Sequence, residues 1–210
     1  MKIDKLSYRE FSDSNESSEW GNKIYKQWAE NYKSTSEKVK SVDAPPCCEI
    51  PFESYCGNNY LSTNSNLRDS NVNETNEEHY VLFREICSAP VIPENIVVYR
   101  LVCDEVIERL TTIRDDKPYI YEEKGFMSTS LLKSIVKSDE QYTEHKNMLK
   151  IYVSKNTIGV YVNVITKRSE EEILFVSGMR LGLINKPYND KAIGKTIYEC
   201  VMLNGKYNKP

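Results

Sequence analysis

The chain predicts an α+β fold in which helices come first and strands follow. Apolar residues recur at helical spacing mainly within about the first 90 residues, and β-branched runs bounded by turn residues crowd the remainder. The two kinds of segment do not alternate, which argues against a parallel βαβ sheet. The 210 residues suffice for one large domain or two small ones, and no internal repeat or low-complexity tract divides them.

The helical part opens at Ser12-Asp13, an N-cap with Glu16 three residues beyond Asp13. Trp20, Ile24 and Trp28 then recur every fourth residue with Tyr25 and Tyr32 beside them. That stripe predicts an amphipathic helix from about Asn15 to Tyr32 that packs on the core. Ser34 to Lys40 continues as a short polar helix until Ala44-Pro45-Pro46 breaks it. Cys56-Gly57-Asn58-Asn59 reads as a turn, and Tyr60 to Arg68 as a helix carrying Asn64 and Arg68 on one face. Asp69 to Glu78 reads as an exposed loop. Tyr80 to Ile86 reads as a helix that runs into Pro90 and Pro93.

Ile96-Val97-Val98-Tyr99-Arg100 predicts a buried strand ending in Arg100. Val102, Val106 and Leu110 suggest a short helix, and Asp115 to Pro118 a loop. Gly125 to Ser130 reads as a strand ending in hydroxyls, and Leu131 to Val136 as helical. Met148–Val153 and Gly159–Ile165 read as strands joined through Lys155-Asn156. Glu172–Val176, Arg180–Ile184 and Lys195–Leu203 complete the set, with a loop over Asn185–Asp190.

Composition excludes several classes. A net charge of −3 leaves no basic field to draw the chain onto nucleic acid or an anionic membrane. No apolar run reaches the length of a membrane span. The six cysteines form no C-x-x-C and have only His79 and His145 to join them, so no metal site is expected. Reduced thiols are the default reading, with a disulfide or two if the protein works outside a cell. The polar N-terminus lacks the apolar core of a signal peptide, which keeps a cytoplasmic location open.

The chemistry centres on Ser169-Glu170-Glu171-Glu172-Ile173-Leu174-Phe175. On an extended segment Glu170 and Glu172 point the same way, and Glu171 points oppositely, towards solvent. A carboxylate pair is the usual equipment for cleaving a bond at a sugar anomeric carbon: one steadies positive charge and the other handles a proton or nucleophile. Taken alone, the triplet is more often a solvated acidic turn. Arg100 and the Ser128-Thr129-Ser130 cluster, each on its own strand, change that balance.

An arginine, a hydroxyl cluster and a Glu-x-Glu in this order resemble the signature of the toxin-type mono-ADP-ribosyltransferases, the clostridial C3-like exoenzymes and the enzymatic components of binary actin-modifying toxins. Further stretches share the resemblance. They are Glu19-Trp20-Gly21-Asn22, Asn64-x-x-Leu67-Arg68, the strand Pro93 to Arg100, and Lys124-Gly125-Phe126-Met127-Ser128-Thr129-Ser130-Leu131. The resemblance implies a single catalytic domain over 1–210, with a mainly helical part (1–90) packed on a mixed, mostly antiparallel two-sheet β part (91–210).

The resemblance also implies chemistry. NAD would be the co-substrate, with no metal. Glu172 would hold the ribose 2′-hydroxyl and stabilise the positive anomeric carbon. Ser128 would fix the Glu172 rotamer, with Thr129 and Ser130 supporting the strand edge. Arg100 would bind an NAD phosphate with its planar fork. Arg68, Asn64 and Gly125 would border the NAD cleft. Glu at position 170 goes with arginine acceptors and Gln with asparagine ones, so Glu170 implies an arginine on a target protein, by analogy actin. Two departures stand out. The turn Thr166-Lys167-Arg168-Ser169 lacks the aromatic residue that relatives use against the target. The Phe-x-x-Arg of the later loop is replaced by Tyr142-Thr143-Glu144-His145-Lys146, where Tyr142 and Lys146 are the candidate substitutes.

The implied protein is monomeric and secreted or delivered into a host cell, with a separate translocation component as a candidate partner. The alternatives weighed are a non-catalytic docking domain of a binary toxin and an NAD glycohydrolase with water as acceptor.

Overall fold

The structure is a computed structural model that describes residues 3–43, 51–69, 77–114, 117–118, 120–137, 141–166 and 170–203. Helix α1 (Ser14–Asp43) starts on the foreseen cap: Asp13 Oδ1 accepts from the Asn15 and Glu16 amides at 2.9 and 3.0 Å. Glu16 Oε2 reaches back to the Ser12 amide at 2.9 Å. The polar stretch beyond Tyr32 continues the same helix. Tyr25 is fully buried, and Trp28 stacks on Tyr32 with ring centroids 5.6 Å apart, both edge-on to Phe52. The breaker Ala44-Pro45-Pro46 lies outside the described residues.

Helix α2 (Pro51–Ser54) passes through one wide helical turn at Tyr55–Asn59 into α3 (Tyr60–Arg68), so the turn expected at Cys56–Asn59 is a kinked join between helices. Helix α4 (Glu77–Ser88) begins inside the expected loop, whose residues 70–76 lie outside the described residues.

Strand β1 (Ile96–Val102) runs two residues past Arg100, because Leu101 and Val102 are apolar and buried and prolong the pairing. Helix α5 (Asp104–Thr111) follows and takes Val106 and Leu110 but not Val102. A two-stranded ribbon, β2 (Ile113–Arg114) with β3 (Lys117–Pro118), replaces part of the expected loop. Strand β4 (Ile120–Glu123) was not foreseen. Strand β5 (Met127–Ser130) is followed by a 3-10 turn at Lys133–Lys137, within the stretch expected to be helical, and by a second at Gln141–Glu144. Strands β6 (Asn147–Val153) and β7 (Gly159–Tyr161) come next. The expected strand to Ile165 stops at Tyr161, where Val162–Val164 winds into a 3-10 turn. Strands β8 (Glu172–Phe175) and β9 (Met179–Leu183) follow. Part of the expected loop before Lys195 is a strand, β10 (Tyr188–Asp190), and β11 (Lys195–Leu203) is the last.

Nine strands form one mixed sheet in the order β4-β9-β11-β6-β1-β5-β8-β7, with β10 on β11. Among the described strands only β6 and β11 pair in parallel, and an isolated parallel bridge joins Arg9 to Ile96. The sheet has two halves. Strand β1 pairs with β6 over seven residues but meets β5 at the single register pair Tyr99↔Ser130. The large core lies between the helices and the sheet, and a smaller cluster around Val97, Tyr99, Met148 and Tyr152 covers the other face of β1 and β6. Among the described residues no helix is long and apolar enough to cross a membrane.

Candidate active site

A cleft of about 510 Å³ is lined by both strands that meet at that single pair: Tyr99 to Val102 of β1 and Ser128 to Ser130 of β5. Helix α3 adds Asn64 and Arg68, α5 adds Glu105 and Arg109, and the bend leading into β8 adds Glu170 with Glu172 at the strand's first position. Arg100, Arg68, Asn64, Ser128, Glu170 and Glu172, expected together from sequence, therefore share one cavity. Cys103 and Cys200 are free thiols, and Cys47 and Cys48 lie outside the described residues.

All three hydroxyls of Ser128-Thr129-Ser130 serve the carboxylate segment. Ser128 Oγ donates to Glu172 Oε1 at 2.5 Å. Ser128 stands opposite Leu174 in the register, so this bond runs diagonally across the strand pair. Thr129 Oγ1 donates to the Ile173 carbonyl at 3.0 Å, and Ser130 Oγ to the Glu170 carbonyl at 2.7 Å. The Glu172 amide donates to Asn163 Oδ1 at 3.0 Å. Glu172 is thus buried with both its carboxylate and its backbone held.

The cationic side of the cleft is organised by a residue that sequence reasoning missed. Glu123 is buried and accepts from Arg68 Nε (2.9 Å), Arg68 Nη2 (3.1 Å), Arg100 Nη2 (3.2 Å), the Tyr121 hydroxyl (3.2 Å) and the Gly125 amide (3.1 Å). Burial works to raise its pKa, but the Arg100 charge and the Arg68 hydrogen bonds outweigh that and hold it below the usual glutamate value. Burial lifts the Tyr121 phenol to about 12, with the Glu123 charge adding to it. The available sequence signal was parity: Tyr121 and Glu123 share the buried face of a short strand. A carboxylate on such a face needs cations.

The other expected residues divide. Arg100 Nη1 is buried and has no hydrogen-bond partner among the described residues. Asn64 touches the cleft, yet its polar atoms are used within the fold: Nδ2 donates to the Tyr55 hydroxyl (2.9 Å) and Oδ1 accepts from the Phe126 amide (2.8 Å). Gly125 does not line the cleft. It lets β5 approach α3, since a Cβ there would meet Asn64 Oδ1 at 2.7 Å. Glu171, expected to face solvent, is buried against α1 and β7, because the face opposite Glu170 and Glu172 is covered by those elements. Lys146 is exposed and outside the cleft lining, where His145 stands instead. The side chain of Tyr142 and residues 167–169 lie outside the described residues.

Chemically, this cleft combines a carboxylate fixed by a hydroxyl, a second carboxylate, and two guanidinium groups bridged by Glu123. It can seat an anionic group on its cationic side while its carboxylates face a centre of developing positive charge.

Solved structures with this architecture are similar in fold at low identity. The ADP-ribosylating toxin BECa of a binary enterotoxin of C. perfringens, solved with NADH, matches with TM-score 0.70 and 19% identity over 93% of this chain and 50% of its own. This chain therefore spans half the length of BECa. Plx2a, an ADP-ribosyltransferase toxin from Paenibacillus larvae, matches with TM-score 0.67 and 17% identity over 90% of this chain and 96% of its own. C3stau2 from S. aureus, solved with NAD, matches with TM-score 0.66 and 19% identity over 95% of this chain and 100% of its own. No curated protein sequence matches. The family profile described as ADP-ribosyltransferase exoenzyme covers residues 17–190, from the first turns of α1 through β10, and so takes in every element that lines the cleft. With that extent of match, the chain belongs to the ADP-ribosyltransferase exoenzyme family.

Proposed function

We propose that this toxin-family enzyme transfers ADP-ribose from NAD to an arginine side chain of a target protein, releasing nicotinamide. The observation that carries this reading is the Ser128–Glu172 hydrogen bond inside the cleft that Arg100 and Glu170 also line. The buried, unpartnered Nη1 of Arg100 suits a phosphate oxygen, and Arg68 stands on the same carboxylate, Glu123, as a second cation. BECa and C3stau2 were solved with NADH and NAD, which supports a dinucleotide here.

The bond that breaks joins nicotinamide to the ribose anomeric carbon, and nicotinamide leaves with the electron pair. Glu172, held by Ser128, holds the ribose 2′-hydroxyl and steadies the positive charge left behind. The bond that forms runs from an arginine nitrogen to that carbon. A guanidinium is a poor nucleophile until a carboxylate orients it and accepts its proton, and Glu170 is assigned that role. The acceptor protein tested first is actin, by analogy with the binary toxins. Secretion, and a separate translocation component, belong to the same proposal.

Labelled NAD incubated with a host-cell lysate and with purified actin tests the reading. Transfer predicts label on a protein band. Glu172→Gln abolishes both transfer and nicotinamide release, whereas Glu170→Gln loses transfer and keeps part of the hydrolysis. Equal loss of both activities in Glu170→Gln removes the role given to Glu170. A folded protein that releases no nicotinamide is a docking module, and release without a labelled band marks a glycohydrolase.

A further inference from the structure

The middle residue of Glu170-Glu171-Glu172 sits in a conformation that its residue type disfavours. Glu171 has φ of +50°, in the left-handed region, where side chains other than Gly, Asn and Asp are uncommon. A glycine would make this turn at lower cost. Such strain persists where the surroundings over-determine it, and here they do.

Glu171 is 7% exposed. Its Oε2 accepts from Ser17 Oγ at 2.9 Å and from the Tyr161 hydroxyl at 2.6 Å. Both donors are fully or almost fully buried. Its carbonyl accepts from the Leu131 amide at 2.9 Å. The Tyr161 ring itself rests on Gly21 of α1, where any Cβ would come within 2.2 Å of it. Ser17 and Gly21 are one helical turn apart, so one face of α1 supplies both the hydroxyl and the gap for the ring.

We infer that Glu171 is a positioning residue: Ser17 and Tyr161 clamp its carboxylate, and the clamped left-handed turn aims Glu170 and Glu172 into the cleft. The inference rests on the function proposed for those two carboxylates. It also gives the Trp20-Gly21 stretch of α1 a task at the active site. Neither Ser17 nor Tyr161 lines the cleft, so both act through Glu171.

The test compares Tyr161→Phe, Ser17→Ala, Glu171→Gly and Glu171→Gln for NAD turnover, thermal stability and amide exchange at Leu131 and Glu172. Tyr161→Phe keeps the ring on Gly21 and removes only the donor. It and Ser17→Ala lower kcat for NAD cleavage about tenfold, the scale of one charge-assisted hydrogen bond, with KM for NAD unchanged. Glu171→Gly relieves the strained φ but leaves the buried Ser17 and Tyr161 hydroxyls without their acceptor; it loses kcat and speeds exchange at both amides. Glu171→Gln keeps an acceptor oxygen and recovers most of what Glu171→Gly loses. A role in stability alone predicts the reverse, with Glu171→Gly fully active, and that result overturns the inference. So does unchanged kcat and exchange in Tyr161→Phe. If wild type cleaves no NAD while exchange responds as stated, the clamp stands and the proposed activity fails.

Discussion

Replacing Glu123 by Gln tests whether one buried carboxylate holds the cationic side of the cleft. Gln keeps the shape and one acceptor oxygen, but presents an amide N–H group to a guanidinium and removes the negative charge. Breaking a buried ion pair from one side costs about 3–5 kcal/mol. The partners here are less buried than Glu123: the Arg68 side chain is 40% exposed and that of Arg100 19%. Solvent recovers part of the loss, so about 2–3 kcal/mol is expected. For a chain of this size that corresponds to a fall in Tm of about 4–12 °C at pH 7. Glu123 has a folded-state pKa below its ordinary value. Its stabilisation is therefore fully present above about pH 4.3, the unfolded value, and is lost as pH falls through the lower folded value. Melting curves from pH 7 down to about pH 3 should show the gap between wild type and variant narrowing at the acid end. A Tm within about 2 °C of wild type at neutral pH, or a gap independent of pH, would refute the account of Glu123 as the clamp on both arginines.

Three other substitutions probe separate parts of the cleft. Ser128→Ala removes a hydroxyl-to-carboxylate bond of 2.5 Å; NAD cleavage and transfer should fall together by about 10- to 100-fold with KM for NAD little changed, read by initial rates. Arg100→Lys keeps the charge but loses the fork, so KM for NAD should rise about tenfold or more, with a smaller fall in Tm than Glu123→Gln because the cation beside Glu123 is kept. Gly125→Ala forces a Cβ to within 2.7 Å of Asn64 Oδ1; it should lower Tm through loss of the Asn64–Phe126 bond, the overpacking costing about 1–3 kcal/mol.

Which parts of the molecule were legible depends on what each signal measures. Trp20, Ile24 and Trp28 recur at helical spacing, and α1 is where that spacing puts it. The run Ile96 to Tyr99 is β-branched and apolar, and β1 is buried along its length. Strand β4 escaped because half of its four residues are glutamates, and one of those is buried only because Arg68 and Arg100 arrive from distant segments. Gly159 to Ile165 is apolar except for Asn163, and such a run does not distinguish a strand from the 3-10 turn that takes its second half. Glu171 shows the limit most clearly. Alternation correctly puts it on the face opposite Glu170 and Glu172, but periodicity cannot say that α1 covers that face.

The position of the cleft follows from how unequally β1 is paired. On one side it is bonded to β6 from Ile96 to Val102. On the other it meets β5 only at Tyr99↔Ser130, and the next residue, Arg100, already lines open space. The half of the sheet containing β1 and β4 brings Arg100 to that gap, and buried Glu123 of β4 pairs with both Arg100 and Arg68 of α3. The half containing β5 and β8 brings Ser128, Glu170 and Glu172. The two sides therefore carry opposite charge: guanidinium groups on one, carboxylates on the other. A dinucleotide with a negative pyrophosphate and a cationic nicotinamide ribose has the same polarity along its length. Charge complementarity of this kind sets the orientation of a ligand more than its affinity. If the proposed function holds, reversing it with the paired variant Arg100→Glu, Glu172→Arg should abolish NAD cleavage outright rather than restore it, because the proposal matches the groups to the two ends of the ligand and not to each other.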